Sequence, residues 1–428
     1  MTDHVLTPWV AQGGRNPPVI ERGEGSSLYD KSGKRYIDFS AGLVAVNLGH
    51  GHRALADAIG EQAHRLAYVA PTFGNEQRAE LARAIVEIGP WPEGGRVFFT
   101  TGGGEANEDA LKFARAITGR HKVLTAYRSF HGSAPGAGTL TGENRRWPNE
   151  PGMPGVVRFF APFPYRSPFH TRDPREECDR AIEHLETVVT YEGGDRIAAL
   201  LVEPVVGTNG VIVYPEGYLA RVRELCDRHG ILLIFDEVMT GFGRTGSAFA
   251  SQTFGVTPDM FTFAKGVTSA YVPLGGVAVR EPLAAHFDTR ALPSGHTFSG
   301  HPLAMAAGVA ALRAYREERL FERARALEGL LRERFARLQK DHAVIGEVRG
   351  LGAFFGIELV ADRETREPLV PWQGTKTLPF FGDLLARGLY VLGRYNVAIV
   401  APPLVITEPE LDEAFTILDA ALRQVKIA

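Results

Sequence analysis

Cysteine is nearly absent: 428 residues hold two, Cys178 and Cys226. Two cysteines cannot build a disulfide framework, and a reducing compartment fits that count. An excess of one charge is absent too. Lys and Arg number 47 against 50 Asp and Glu, a net charge of −3, without the basic surplus of a nucleic-acid binder. Long apolar runs are missing: the longest are about five residues, far short of the ~20 that span a bilayer. The opening stretch MTDHVLTPWVAQ has neither a basic nor a long apolar region, so no secretory signal is expected and the cytoplasm is the expected location. Several catalytic signatures are also missing. No Gly-x-Ser-x-Gly elbow marks a serine hydrolase. No Gly-Lys-Ser/Thr makes a P-loop of Gly102-Gly-Gly104, and Asn107 stands where a dinucleotide fingerprint begun at Gly102 needs its last glycine, which excludes a nicotinamide dehydrogenase. His50-Gly-His52 has a metal-compatible spacing, but no Cys or carboxylate pair with ligand spacing accompanies it, and no metal is expected.

What is present is a globular composition, 44% hydrophobic, with 48 Gly and 27 Pro to serve many loops. Apolar runs at Val97–Thr100, Val123–Ala126, Ala199–Val202, Ile231–Phe235, Phe261–Ala264 and Gly276–Val279 alternate with helical patterns near Ala106–Ile117, Glu177–Val189 and Tyr218–His229. This alternation predicts an α/β fold, a doubly wound, mainly parallel sheet wrapped by helices. Ahead of it come strands at Ser27–Tyr29 and Tyr36–Phe39 and helices at His52–Ala67 and Glu76–Ile88. A helical stretch Pro302–Lys340, broken near Glu317–Glu318, precedes further strands at Gly346–Arg349, Ala353–Leu359, Tyr390–Leu392 and Ala398–Val400, with a helix near Gly382–Arg387 and a last one over Glu408–Gln424. The expected division is a large domain of residues 60–310 and a smaller α+β domain built from both chain ends, 1–59 and 311–428. The Pro-rich and aromatic stretch Glu150–Pro174 reads as an ordered excursion over the site.

Ligands of open α/β sheets gather at the C-terminal ends of strands. Glu203, Asp236 and Lys265 each follow an apolar run directly. A single such charge merely marks where a strand leaves the core. Three in one sheet ask for partners, because buried charges need them. The stretch Val97-Phe-Phe-Thr-Thr-Gly-Gly-Gly-Glu-Ala-Asn107 reads as strand, glycine loop and helix start, and the free N–H groups of such a helix suit a phosphate. A buried lysine of lowered pKa forms a Schiff base with an aldehyde. A strand-end aspartate can keep a pyridine nitrogen protonated, which makes the ring an electron sink. Together these are the requirements of pyridoxal 5′-phosphate.

The motifs Tyr29-Asp-x-x-Gly-Lys-Arg-Tyr36, Asn47-Leu-Gly-His-Gly-His52, Gly103-Gly-Glu-Ala-Asn107, Ser129-Phe-His-Gly132, Val202-Glu-Pro204, Phe235-Asp-Glu-Val238, Gly241-Phe-Gly-Arg-Thr-Gly246, Ala264-Lys-Gly266 and Thr297-Phe-Ser-Gly-His-Pro302 cover nearly the whole chain. In combination the sequence resembles the class III pyridoxal-phosphate aminotransferases of fold type I. The resemblance implies that Lys265 holds the cofactor and shuttles the proton at Cα, and that Asp236 pairs with the pyridinium. Phe130 and Val238 would cover the two ring faces, and His131 and Glu203 would lie at the cofactor. Gly103 and Gly104 would offer N–H groups to the phosphate, and Thr297 would reach the phosphate of a neighbouring subunit, which requires a homodimer or a larger homo-oligomer. Glu203 and Arg394 would form a switchable pair that admits either an amine or a carboxylate.

Two departures from the family pattern matter. Gly102-Gly-Gly104 replaces the usual hydroxyl-bearing loop, and Val206 stands where the ornithine and GABA branches have Gln. The second departure, with Val44 and the Tyr271-Val-Pro-Leu-Gly275 segment, places the chain nearest the ω-amino acid, taurine and β-alanine group, whose acceptor is pyruvate. Trp9, Phe73 and Phe130 are nominated as the apolar substrate wall, Val44 and Arg394 as further substrate contacts. The implied reaction is ping-pong amino transfer from such a donor to pyruvate, with no nucleic-acid or membrane partner. The same cofactor set also serves aminomutases, racemases, dialkylglycine decarboxylases and 2-oxoglutarate-dependent aminotransferases, and a non-catalytic regulator is disfavoured by the intact Lys265 and Asp236.

Overall fold

Apolar runs that alternate with helices form one seven-stranded sheet in the computed structural model, which describes residues 4–13, 16–372 and 378–425. Its strands, numbered along the chain, are β1 (Gly95–Thr100), β2 (Lys122–Ala126), β3 (Val156–Phe159), β4 (Ile197–Val202), β5 (Leu232–Asp236), β6 (Met260–Phe263) and β7 (Gly275–Arg280). The spatial order is β1-β7-β6-β5-β4-β2-β3. β7 runs antiparallel to both its neighbours, and the other pairs are parallel. Alternate residues serve opposite faces of a pleated strand. Accordingly Leu233 and Phe235 enter one apolar cluster, while Leu232 and Ile234 enter another on the opposite face. A sheet covered on both sides needs continuous apolar strands, which is why β4, β5 and β6 were legible.

Two smaller sheets join distant parts of the chain. One runs Ile20–Glu24, Ser27–Asp30, Arg35–Asp38, Leu389–Tyr390, so segments near both ends share it. The other is Ile345–Leu351, Phe354–Leu359, Val397–Val400, Leu392–Arg394. Helices Leu320–Asp341 and Glu408–Leu422 meet through Phe335 and Phe415, ring centroids 5.0 Å apart. The helix break expected near Glu317 is present: one helix ends there, and Arg319 takes a φ of 52° before the next begins at Leu320.

Two expectations are corrected. The stretch 150–174 is not only an excursion, because its Val156–Phe159 is the edge strand β3, paired in parallel with β2. The run Tyr390–Leu392 is not one strand. Leu389–Tyr390 pairs with Ile37–Asp38, and Leu392–Arg394 pairs with Val397–Ile399, so the chain passes from one small sheet to the other at Val391. Among the described residues no helix is long and apolar enough to cross a membrane.

Candidate active site

β4, β5 and β6 are neighbours that end on the same edge, and this adjacency brings three charges together. Glu203 follows β4, Asp236 is the last residue of β5, and Lys265 stands two residues beyond β6. They line one cavity of about 400 Å³ with Gly103, Gly104, Phe130, His131 and Val238. Eight of the residues nominated from sequence therefore meet in one place.

Each side chain is fixed by its neighbours. Asp236 Oδ2 accepts from Asn107 Nδ2 at 2.8 Å and lies 2.7 Å from His131 Nδ1. Asn107 in turn accepts from the Thr262 hydroxyl at 2.8 Å and donates to the His131 carbonyl. Asp236 Oδ1 accepts the Val238 N–H at 3.1 Å. Glu203 accepts from the N–H groups of Phe130 (2.9 Å) and Gly207 (2.7 Å). Burial pushes its carboxyl up to about 7; the charge of His131 opposes the rise and that of Asp236 adds to it. Lys265 begins a tight turn with a φ of 50°. Burial lowers its ammonium to about 8, against the pull of Asp236 and Glu203.

The glycine loop leads into helix Gly103–Thr118, whose first turn faces the cavity. Unpaired N–H groups and the helix dipole make that terminus an anion site. A Cβ at Gly103 would stand 2.8 Å from Val238 Cγ2, so glycine is what lets the two walls of the cavity approach. The hydroxyl of Thr101, just before the loop, is occupied by Glu105. These residues fit pyridoxal phosphate: N–H groups for a phosphate, a carboxylate with a free lone pair for a ring nitrogen, a partly neutral lysine for an aldehyde, and two walls, Phe130 and Val238, for a flat ring.

Other nominated residues lie elsewhere. Trp9 stands edge-on to Phe130, centroids 6.3 Å apart, and is 55% exposed. Val44 is buried in a cluster with Val205 and Met239, and its neighbour Ala45 reaches the cavity instead. Phe73 is 64% exposed and is not among the cavity-lining residues. Thr297 is on the surface, its carbonyl bonded to the Tyr68 hydroxyl at 2.9 Å. The expected Glu203–Arg394 pair is not formed. Arg394 donates to Glu143 at 2.7 Å, to Asn144 at 3.0 Å and to Tyr395 at 2.9 Å, while Glu203 is held by backbone N–H groups. His50 and His52 are engaged by Asp38 (2.8 Å) and Glu318 (2.7 Å), and no metal-suited cluster exists among the described residues.

Sequence reasoning gave no role to three contributors. Asn107 sits one helical turn after Gly103 on the cavity side, a spacing that could have found it. Glu143 and Arg145 lie in and beside a short 3₁₀ turn, Asn144–Asn149, which has no periodicity to read. Arg145 packs its guanidinium 3.7 Å over the Phe130 ring, ion-pairs with Glu143 and donates to the Thr208 hydroxyl at 2.7 Å. Val272–Leu274, within the segment that the sequence singled out after the lysine, supply an apolar wall.

Comparison with known proteins gives the family. The family model described as "Aminotransferase class-III" matches residues 10–422. A probable aminotransferase of Mycobacterium tuberculosis is 38% identical, over 95% of this chain and 89% of its own. The taurine–pyruvate aminotransferase of Rhodobacter capsulatus is 34% identical, over 96% of this chain and 92% of its own. The solved structure of the taurine:2-oxoglutarate aminotransferase of Bifidobacterium kashiwanohense, in complex with PLP and glutamate, superposes with a TM-score of 0.95 at 41% identity, covering 99% of this chain and 96% of that one. With a fold type I architecture and a cavity fitted to pyridoxal phosphate, the chain belongs to the class III aminotransferases.

Proposed function

We propose that the protein moves an amino group from an ω-amino acid or related terminal amine, of the taurine and β-alanine kind, to pyruvate, and that it works as a homodimer in the cytoplasm. The observation that carries the acceptor is a charge count. Arg145 packs over Phe130 of the aromatic wall, and it and Arg394 share one carboxylate, Glu143. Counted over these three side chains, one net positive charge remains, enough for a single acid group. The taurine–pyruvate relative supports this reading. A second reading, 2-oxoglutarate as acceptor, is favoured by the taurine:2-oxoglutarate relative.

Bound pyridoxal phosphate supplies an aldehyde for the amine and a ring that draws electrons from Cα. In our assignment Lys265 holds the cofactor and carries the proton to and from Cα, while Asp236, braced by Asn107 and His131, faces the ring nitrogen. Phe130 and Val238 hold the ring between them. Gly103 and Gly104 receive the phosphate, with Thr297 of a second copy completing the site. Val272–Leu274 exclude water from the donor's chain. Two free, buried cysteines suit a reducing compartment.

The test is the second half-reaction. Enzyme carrying the aminated cofactor is mixed with pyruvate or with 2-oxoglutarate, and return of the aldehyde-form absorbance is timed. Pyruvate is expected to be faster. A faster return with 2-oxoglutarate overturns the acceptor assignment.

A further inference from the structure

Glu143 does not line the cavity but connects to its wall through Arg145, which packs on Phe130. Its carboxylate is almost wholly buried between two guanidiniums. One oxygen holds Arg145 and the other holds Arg394 at 2.7 Å. Arg145 is pinned by the Phe130 ring and by Thr208. Its charge is felt by both Lys265 and Glu203, which places it within electrostatic reach of the reacting centre. Arg394 is braced by Asn144 and Tyr395, and its Nε is buried with no partner among the described residues. Glu143 thus cancels one of the two guanidinium charges, and of Arg145 and Arg394 only one charge is left without a carboxylate bound to it.

We infer that Glu143 sets how many acid groups the substrate site accepts. A substrate with one carboxylate or sulfonate neutralises the remaining positive charge. A five-carbon diacid brings a second carboxylate that finds no cation, and burying an unpaired charge is costly. Removing the charge of Glu143 supplies the missing cation. Glu143 is thus a positioning and specificity residue: it touches neither cofactor nor reacting atoms and acts through Arg145 and Arg394. This inference rests on the pyruvate reading above and names the residue behind it.

The experiment separates the two. Holoenzyme of the wild type, Glu143→Gln, Glu143→Asp and Arg145→Gln is titrated calorimetrically with propanoate and with glutarate, the skeletons of the two acceptors without their keto groups. Hydrogen bonds to charged groups correspond to roughly tenfold to hundredfold in affinity. The ratio of glutarate to propanoate affinity is expected to rise by about that factor in Glu143→Gln. Glu143→Asp, which keeps the charge, should return the wild-type ratio, and Arg145→Gln should weaken both acids. An unchanged ratio in a folded Glu143→Gln holoenzyme overturns the inference, and so does the same shift in Glu143→Asp. Should the wild type prefer 2-oxoglutarate in the half-reaction, the acceptor reading fails, while the affinity ratio still decides the role of Glu143.

Discussion

His131 Nδ1 lies 2.7 Å from Asp236 Oδ2, and the other ring nitrogen of His131 is buried without a partner among the described residues. The imidazole is thus committed to the carboxylate. With Asn107 on the same oxygen and Thr262 behind Asn107, the assembly is a fixed chain of side chains running from β6 through the first helical turn to the end of β5. A dipole or charge held in place before the reaction needs no reorganisation during it. The chain fixes one oxygen of Asp236 and leaves the other with a single backbone donor.

Asp236→Asn should therefore keep the shape of the site and lose its charge. Cofactor content is expected to be retained. The amine half-reaction should slow by about 10²–10³-fold, the magnitude typical of removing one preorganised electrostatic group. Single-turnover absorbance reads the rate. An unchanged rate would remove Asp236 from the assigned role.

Gly103→Ala is expected to weaken cofactor binding without unfolding the protein. The new Cβ would meet Val238 Cγ2 at 2.8 Å, and Val238 must shift off the position we assign to the ring. Alanine itself suits a helix better than glycine, so the apo protein's melting temperature should hold. Gly102→Ala is the comparison, since nothing lies within 4 Å of its Cβ. The dissociation constant for pyridoxal phosphate should rise about tenfold or more in the first variant, which corresponds to ~1.4 kcal/mol, and far less in the second. Equal effects would refute the steric argument.

The sheet and its three charged strand ends were legible because a fully buried strand has to be apolar throughout and a charge that follows it stands out. Lys265, Asp236 and Glu203 needed no further information. The motif Gly241–Gly246 was legible as a motif but not as a device: Arg244 is fully buried and donates to the carbonyls of Ala353 and Pro402 and to Asn47, tying this loop to the C-terminal segment. The partner of Arg394 was not legible. Glu143 is 251 residues away in sequence, beside a turn without periodicity, and only the crossing of Val391 between the two small sheets brings Arg394 to it. β3 was missed for a different reason. Four residues inside a Pro-rich stretch look like loop until the edge of a sheet is there to pair with them.

A dimer is expected from Thr297. The residue is on the surface of the single chain, and the loop that carries it is anchored from within by His296 on Asp109 at 2.6 Å. The next residue, Phe298, is 56% exposed. Mixing Lys265→Ala with Thr297→Glu should restore activity that neither variant has alone. In a mixed dimer one site receives Lys265 and Thr297 from different chains, both intact. Absence of recovery after verified subunit exchange would argue that Thr297 serves its own site or none.

Lys265 supplies the last prediction. Burial disfavours its ammonium and lowers it to about 8, although Asp236 and Glu203 favour the charge and Arg145 opposes it. The neutral amine is the form that attacks an aldehyde. At pH 7 about one lysine in ten is then neutral, against fewer than about one in a thousand for an ordinary lysine. The rate at which apo protein captures pyridoxal phosphate should climb with pH, bend near 8 and level above it. The neighbours give the sign twice more. Asp236→Asn removes an anion that stabilises the ammonium, so its midpoint should move down and capture at pH 7 should quicken. Arg145→Gln removes a cation that opposes the ammonium, so its midpoint should move up and capture at pH 7 should slow. Absorbance stopped-flow over pH 6–10 measures all three curves. A rate still rising steeply at the alkaline end in the wild type would show an ordinary lysine. Midpoints that fail to move in opposite directions would show that the two side chains do not reach it.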